Sequence, residues 1–219
     1  MKTIPVARLF RLFAAGLLLM GASACSTLRP GAPPPPTFYS LDGAPGGAAP
    51  ATVPAAASPT APTLIIAPPH AAAGFDSQHI MYVRETHKLE YFAHNEWVDP
   101  PARMLAPLLV AALEKTGVFR AVVPAPSAAA GDLRLDTEVI RLQHEFQTQP
   151  SRVRFTLRAY LVDDKTRSVL AWREFDAVVP AASEDPYGGV VAANRAVQTV
   201  LENLAVFCAE AARSARTER

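Results

Sequence analysis

The stretch RVRFTLRAYL, residues 152–161, alternates Val153, Phe155, Leu157, Ala159 and Leu161 with Arg152, Arg154, Thr156, Arg158 and Tyr160. A period of two, apolar on one side and basic on the other, predicts a half-buried antiparallel strand. Asp163-Asp164-Lys165-Thr166 then reads as a turn into a further strand from about Val169. Upstream, Leu133, Leu135 and Val139 share one phase, whereas Leu142, His144 and Phe146 share the other, so a bulge is expected near Ile140.

Working outward, Thr63 to Ala67 reads as a short strand, and Ile80 to Arg84 with Leu89 to Phe92 as a hairpin around the polar run 85–88. Asp99 is placed to cap a helix that begins at Pro100 and Pro101. Its stripe is Leu105, Leu108, Leu109, Ala112 and Leu113, and Gly117 is its stop. Pro107 lacks an N–H and crowds the preceding turn, so a kink or split near Met104 is expected. Val190, Asn194, Val197, Leu201, Leu204, Cys208 and Ala211 form the stripe of a long C-terminal helix. The expected class is α+β, a mainly antiparallel sheet with two helices packed on one face.

The chain begins with Lys2, Arg8 and Arg11, then the apolar run Leu12 to Met20, then the small residues Gly21 to Ala24. This is the layout of a secretory signal peptide over 1–24, cut between Ala24 and Cys25. The run is much shorter than the roughly 20 residues that span a bilayer. Cys25 resembles the lipidated cysteine of a lipobox, with Ala22 where that motif usually has Leu. Two or three acyl chains on Cys25 would hold the product on a membrane, whereas one anchors only marginally. Ala22 and Ala24 also satisfy the rule for ordinary secretion, so a soluble periplasmic product stays open. Ser26, in place of the Asp that retains lipoproteins at the inner membrane, resembles the sorting pattern for the periplasmic face of the outer membrane.

From Pro30 to Pro62 the chain carries ten of its 21 prolines, and Asp42 is the one charge there. Few bulky apolar side chains are present to offset ordering entropy, so 25–62 is expected to be a lipid-anchored, disordered or polyproline tether. Phe38-Tyr39-Ser40-Leu41 is an apolar island within it. Residues 63–219 are then the folded periplasmic domain, and a chain starting near Ala61 is expected to fold by itself.

Without residues 1–24 there remain 18 basic and 20 acidic groups, a net charge of −2. No basic excess for nucleic acid is present. With Cys25 lipidated, Cys208 has no intrachain partner; burial on the helix stripe and an intermolecular bridge are its two readings. The histidines 70, 79, 87, 94 and 144 show no zinc spacing, and no G-x-S-x-G elbow, P-loop or dinucleotide fingerprint occurs. Asp163 and Asp164 are explained by the turn. The expectation is no enzyme, no cofactor and no metal.

Cys25, the aromatic-x-Leu island Tyr39-Ser40-Leu41, the segment Ile80-Met81-Tyr82-Val83-Arg84 leading to Leu89-Glu90-Tyr91, and Trp97 before the first helix occur in that order. In this the chain resembles the ABC-type transport auxiliary lipoprotein family, the group of paraquat-inducible, PqiC-like lipoproteins. The long Ala/Pro insertion between Leu41 and Leu64 and the Ala22 lipobox depart from its pattern. The resemblance implies a non-catalytic accessory of an intermembrane machine for lipids or other hydrophobic compounds, acting with an MCE-domain protein, a permease and an ATPase. Homo-oligomerisation is left open. Tyr39, Leu41, Tyr82, Arg84, Tyr91 and Trp97 are then the candidate partner-binding residues, with core packing as the competing role for Trp97. A periplasmic hydrolase assembled only in the fold, or a structural lipoprotein of outer-membrane assembly, are the other readings.

Overall fold

The computed structural model describes residues 34–42, 58 and 60–217. The expected signal peptide, its cleavage site and Cys25 lie outside the described residues. The elements are β1 (Thr37–Tyr39), β2 (Thr63–Ile66), β3 (His70–Ala71), β4 (His79–Val83), β5 (Glu90–Trp97), α1 (Pro101–Glu114), β6 (Ala121–Pro124), β7 (Leu133–Glu145), β8 (Arg152–Asp163), β9 (Val169–Pro180) and α2 (Pro186–Thr217).

Strand β7 is the spine. Along one side β8 pairs with it antiparallel from Leu133↔Asp163 to Glu145↔Arg152, and β9 pairs antiparallel with β8. Along the other side β2, β3 and β4 follow one another parallel to β7, at Leu64↔Leu133, His70↔Glu138 and Tyr82↔His144. Pro68 and Pro69, which lack an N–H, separate β2 from β3, and the ladder resumes with Ala72 N–H donating to the Val139 carbonyl at 2.8 Å. β6 pairs parallel with β2, β5 antiparallel with β4, and β1 parallel with β5. The sheet has nine strands and is mostly antiparallel through its long β7–β8–β9 ladders.

The alternation in β8 works as expected: Val153, Phe155, Leu157, Ala159 and Leu161 are all buried beneath the helices. The register shift between Val139 and Arg141 is the expected bulge, and it turns Leu142 and His144 inward after Leu133, Leu135 and Val139. From α2, Val190, Val197, Leu201, Leu204 and Cys208 join the same core, and from α1, Leu105, Leu109 and Leu113. The α+β class, with both helices on the sheet, is as expected.

Three local expectations are corrected. Asp99 does not cap α1; Pro100 occupies the cap with no side-chain hydrogen bond, and Asp99 pairs instead with Arg103 at 3.4 Å. Of the kink or split expected at Pro107, the split does not occur, since α1 runs unbroken through it. Pro107 and Arg103, whose carbonyl loses its N–H partner, both face solvent, where water can satisfy that oxygen. Residues 37–42 are not tether: β1 joins the sheet beside β5, Leu41 is in the core, and the compact unit begins at Pro36. Two further strands, β3 of two residues and β6 of four, lie outside the segments that the sequence marks as strands.

Candidate functional site

At the end of the β4–β5 hairpin, Tyr82, Phe92, His144 and Phe146 meet on the helix side of the sheet. Tyr82 lies 4.6 Å from Phe92 and stands edge-on to Phe146 at 5.9 Å, while His144 packs on Phe146 at 4.1 Å. The exposed Arg84 carries its guanidinium over Tyr82 at 4.8 Å and over Phe146 at 5.8 Å. A cation over a ring face is attracted by the ring's electrons, which holds Arg84 at this spot while it stays exposed. On the opposite face, Tyr91 stacks on His79 at 4.1 Å and stays 54% exposed.

The six candidate residues therefore do not form one surface. Arg84 and Tyr91 are exposed, on opposite sides of the hairpin. Tyr39 is half-buried, its hydroxyl donating to Asn95 Oδ1 at 3.1 Å. Leu41, Tyr82 and Trp97 are buried and pack in the core. Trp97 occupies the core because β5 turns it inward opposite Tyr39 in the β1 register.

Beneath the aromatic cluster lies a polar chain that no sequence motif announced. His144 Nε2 and Ser151 Oγ are 2.8 Å apart, and the Ser151 N–H donates to Glu184 Oε1 at 2.8 Å. His144 Nδ1 is buried, has no hydrogen-bond partner among the described residues, and faces Gly189 in the first turn of α2. Burial pushes the imidazole below its usual range, opposed by the negative charge of Glu184 and Asp185. Glu184 is lowered by the Ser151 hydrogen bonds, and Asp185 by the Gly188 N–H, with which it caps α2 ahead of Pro186. Ser151 is fully buried, and among the described residues no carboxylate bonds Nδ1, which leaves the pair without the access and the third group seen with a nucleophilic serine. The pair joins the β7–β8 connection to the start of α2. The adjacent carboxylates Asp163 and Asp164 also separate: Asp163 accepts the Lys165 and Thr166 N–H groups, and Asp164 pairs with Arg134 at 2.8 Å.

Among the described residues no cluster of His, Cys, Asp or Glu could hold a metal ion, and no helix is long and apolar enough to cross a membrane. Cys208 is buried, and burial pushes its thiol up to about 12. Between α1 and α2 a groove of about 460 Å³ is walled by Leu108, Ala112, Leu201 and Val206, with Lys115 and Glu202 on its rim.

The sheet face turned away from the helices carries ion pairs. Glu138, Arg158 and Glu174 lie in register across β7, β8 and β9, with contacts of 3.5 and 2.9 Å. Glu145, Arg154 and Asp176 form a second, diagonal chain at 3.3 and 3.6 Å.

The fold has solved counterparts. A Xanthomonas campestris protein of the DUF330 family superposes with a TM-score of 0.68 at 24% identity, covering 83% of this chain and 99% of that one. An uncharacterized protein follows at 0.61 and 14% identity, over 80% of this chain and 99% of that one. A hypothetical protein of Chlamydia trachomatis reaches 0.50 at 7% identity, over 68% and 96%. At these identities the likeness is one of fold. No curated protein sequence matches the chain. The family model for the ABC-type transport auxiliary lipoprotein component matches residues 39–205, from the last residue of β1 to well within α2. Because that match takes in every strand from β2 to β9 together with the aromatic hairpin, the chain belongs to the ABC-type transport auxiliary lipoprotein component family.

Proposed function

We propose that this chain is a lipid-anchored periplasmic accessory of an ABC-type intermembrane transport system, of the kind that moves lipids or other hydrophobic compounds with an MCE-domain protein. Residues 1–24 are removed, Cys25 is acylated, and the anchor holds the domain at the periplasmic face of the outer membrane. The observation that carries the reading is the family match across the folded unit. The role is docking: the hairpin tip, with Arg84 held over Tyr82 and Phe146 and with Tyr91 on the reverse face, meets the MCE-type partner. Trp97 fixes the far end of β5 in the core, and Leu41 packs in the same core, its N–H on Met104 of α1.

The test is co-purification from membranes. Wild-type chain should bring down an MCE-domain protein with its permease and ATPase, and Cys25→Ser should move the chain to the soluble periplasmic fraction. An unmodified N-terminal mass in the wild type, or recovery without any transport component, would remove the reading.

A further inference from the structure

Strand β9 is an edge. Among the described residues its one sheet partner is β8, and no backbone hydrogen bond reaches its other side. Natural edges are usually shortened, bulged or guarded by lysine or proline. β9 is 12 residues long, its one register irregularity lies at its start beside Leu170, it has no lysine, and its one proline is the last residue; its outward charges are the acids Glu174 and Asp176. Val169, Leu170, Trp172 and Val178 are all exposed on it, and Trp172, 62% exposed, stacks on Tyr160 of β8. An open ladder of this length is a template for another strand.

The charges say which strand. Glu138, Arg158 and Glu174 alternate in sign from β7 to β8 to β9, and the chain Glu145, Arg154, Asp176 does the same. Both series stop at the edge on an acid whose side chain is 43% exposed. A following strand continues the alternation with Lys or Arg opposite Glu174 and Asp176, on the face turned away from the helices. A second copy of β9 fits poorly. Its two antiparallel registers of longest overlap, with the helix sides kept together, set Glu174 against Glu174 or against Asp176, and like charges directly opposite oppose pairing.

We infer that β9 is a docking edge for an extended segment of a different protein, one that adds antiparallel to the sheet and presents basic side chains to Glu174 and Asp176. This surface lies on the far side of β8 from the hairpin and is independent of the partner proposed there.

The probe is a fluorescein-labelled peptide of about ten residues, an ordinary strand length, alternating valine and lysine, beside a matched valine and glutamate peptide. Fluorescence anisotropy should show saturable binding of the lysine peptide by wild type, on the order of tenfold tighter than the glutamate peptide. Glu174→Lys with Asp176→Lys should reverse the preference. Should that variant melt early, Glu174→Gln with Asp176→Asn should abolish the preference without reversing it. N-methylation of alternate peptide amides should abolish binding, because the ladder needs main-chain N–H groups. No saturable binding, equal affinity for both peptides, indifference to the charge variants, or survival of binding after N-methylation overturns the inference. So does sedimentation showing that wild type pairs through β9 with itself.

Discussion

Asn194, on α2, donates from Nδ2 to the carbonyl of Ser40 at 3.1 Å, across a sequence separation of 154 residues. Its Oδ1 accepts the Asp42 N–H at 2.8 Å, so one carboxamide clamps the backbone on both sides of Leu41. Leu41 thereby sits in the core, 5% exposed. Leu41→Ala should cost about 2–4 kcal/mol, the usual toll of truncating a buried leucine. A chain starting at Ala61 loses the clamp, β1 and Leu41 together and should unfold at clearly lower urea than one starting at Pro36. Coincident urea curves would show that the segment contributes nothing.

Trp97 and Arg84 separate packing from docking. Trp97→Ala, at a 2% exposed core position, should cost on the order of 3–5 kcal/mol in stability. Arg84→Ala and Tyr91→Ala should leave the melting temperature nearly unchanged while weakening recovery of the MCE-type partner. Full recovery with both surface variants would move the docking face elsewhere.

Gly189 leaves room for His144: a Cβ there would lie 2.5 Å from Nδ1. Gly189→Ala should therefore destabilise by about 1–3 kcal/mol through overpacking. His144→Ala should absorb much of that loss, giving a non-additive double-mutant cycle by urea denaturation.

Acid should weaken the fold in two stages. His144, pushed down by burial, is neutral in the fold but protonates in the unfolded chain as pH falls through 6.5. In that range the unfolded chain binds the extra proton, so stability drops with falling pH until the folded imidazole itself titrates. Asp132, lowered by the Thr63 N–H, and Glu184 and Asp185 contribute stability that is present above their ordinary values of 3.8 to 4.5 and lost below them. Urea midpoints measured from pH 8 to 4 should show the first decline in wild type and a flatter profile in His144→Gln.

Cys208, fully enclosed and with its thiol raised to about 12, should not react with a thiol reagent at neutral pH until the protein is unfolded. Prompt labelling of native protein would place the α2 stripe at the surface.

The sequence by itself determined those features whose cause is local. The period of two in β8 set its buried face, the phase change around Ile140 set the bulge, and the stripe from Val190 to Cys208 set the inner face of α2. A side chain's direction repeats with the backbone, so a few adjacent residues are enough to read it. Pairing between distant segments leaves no such trace. The parallel seats of β2, β3 and β4 along β7, the burial of Leu41 and Trp97, and the meeting of His144 with Ser151 and Glu184 were decided by the tertiary structure alone. Phe38-Tyr39-Ser40-Leu41 is too short to hold a strand conformation in isolation, and only the edge of β5, with Asn194 and Met104, supplies the partners that make its ordering favourable.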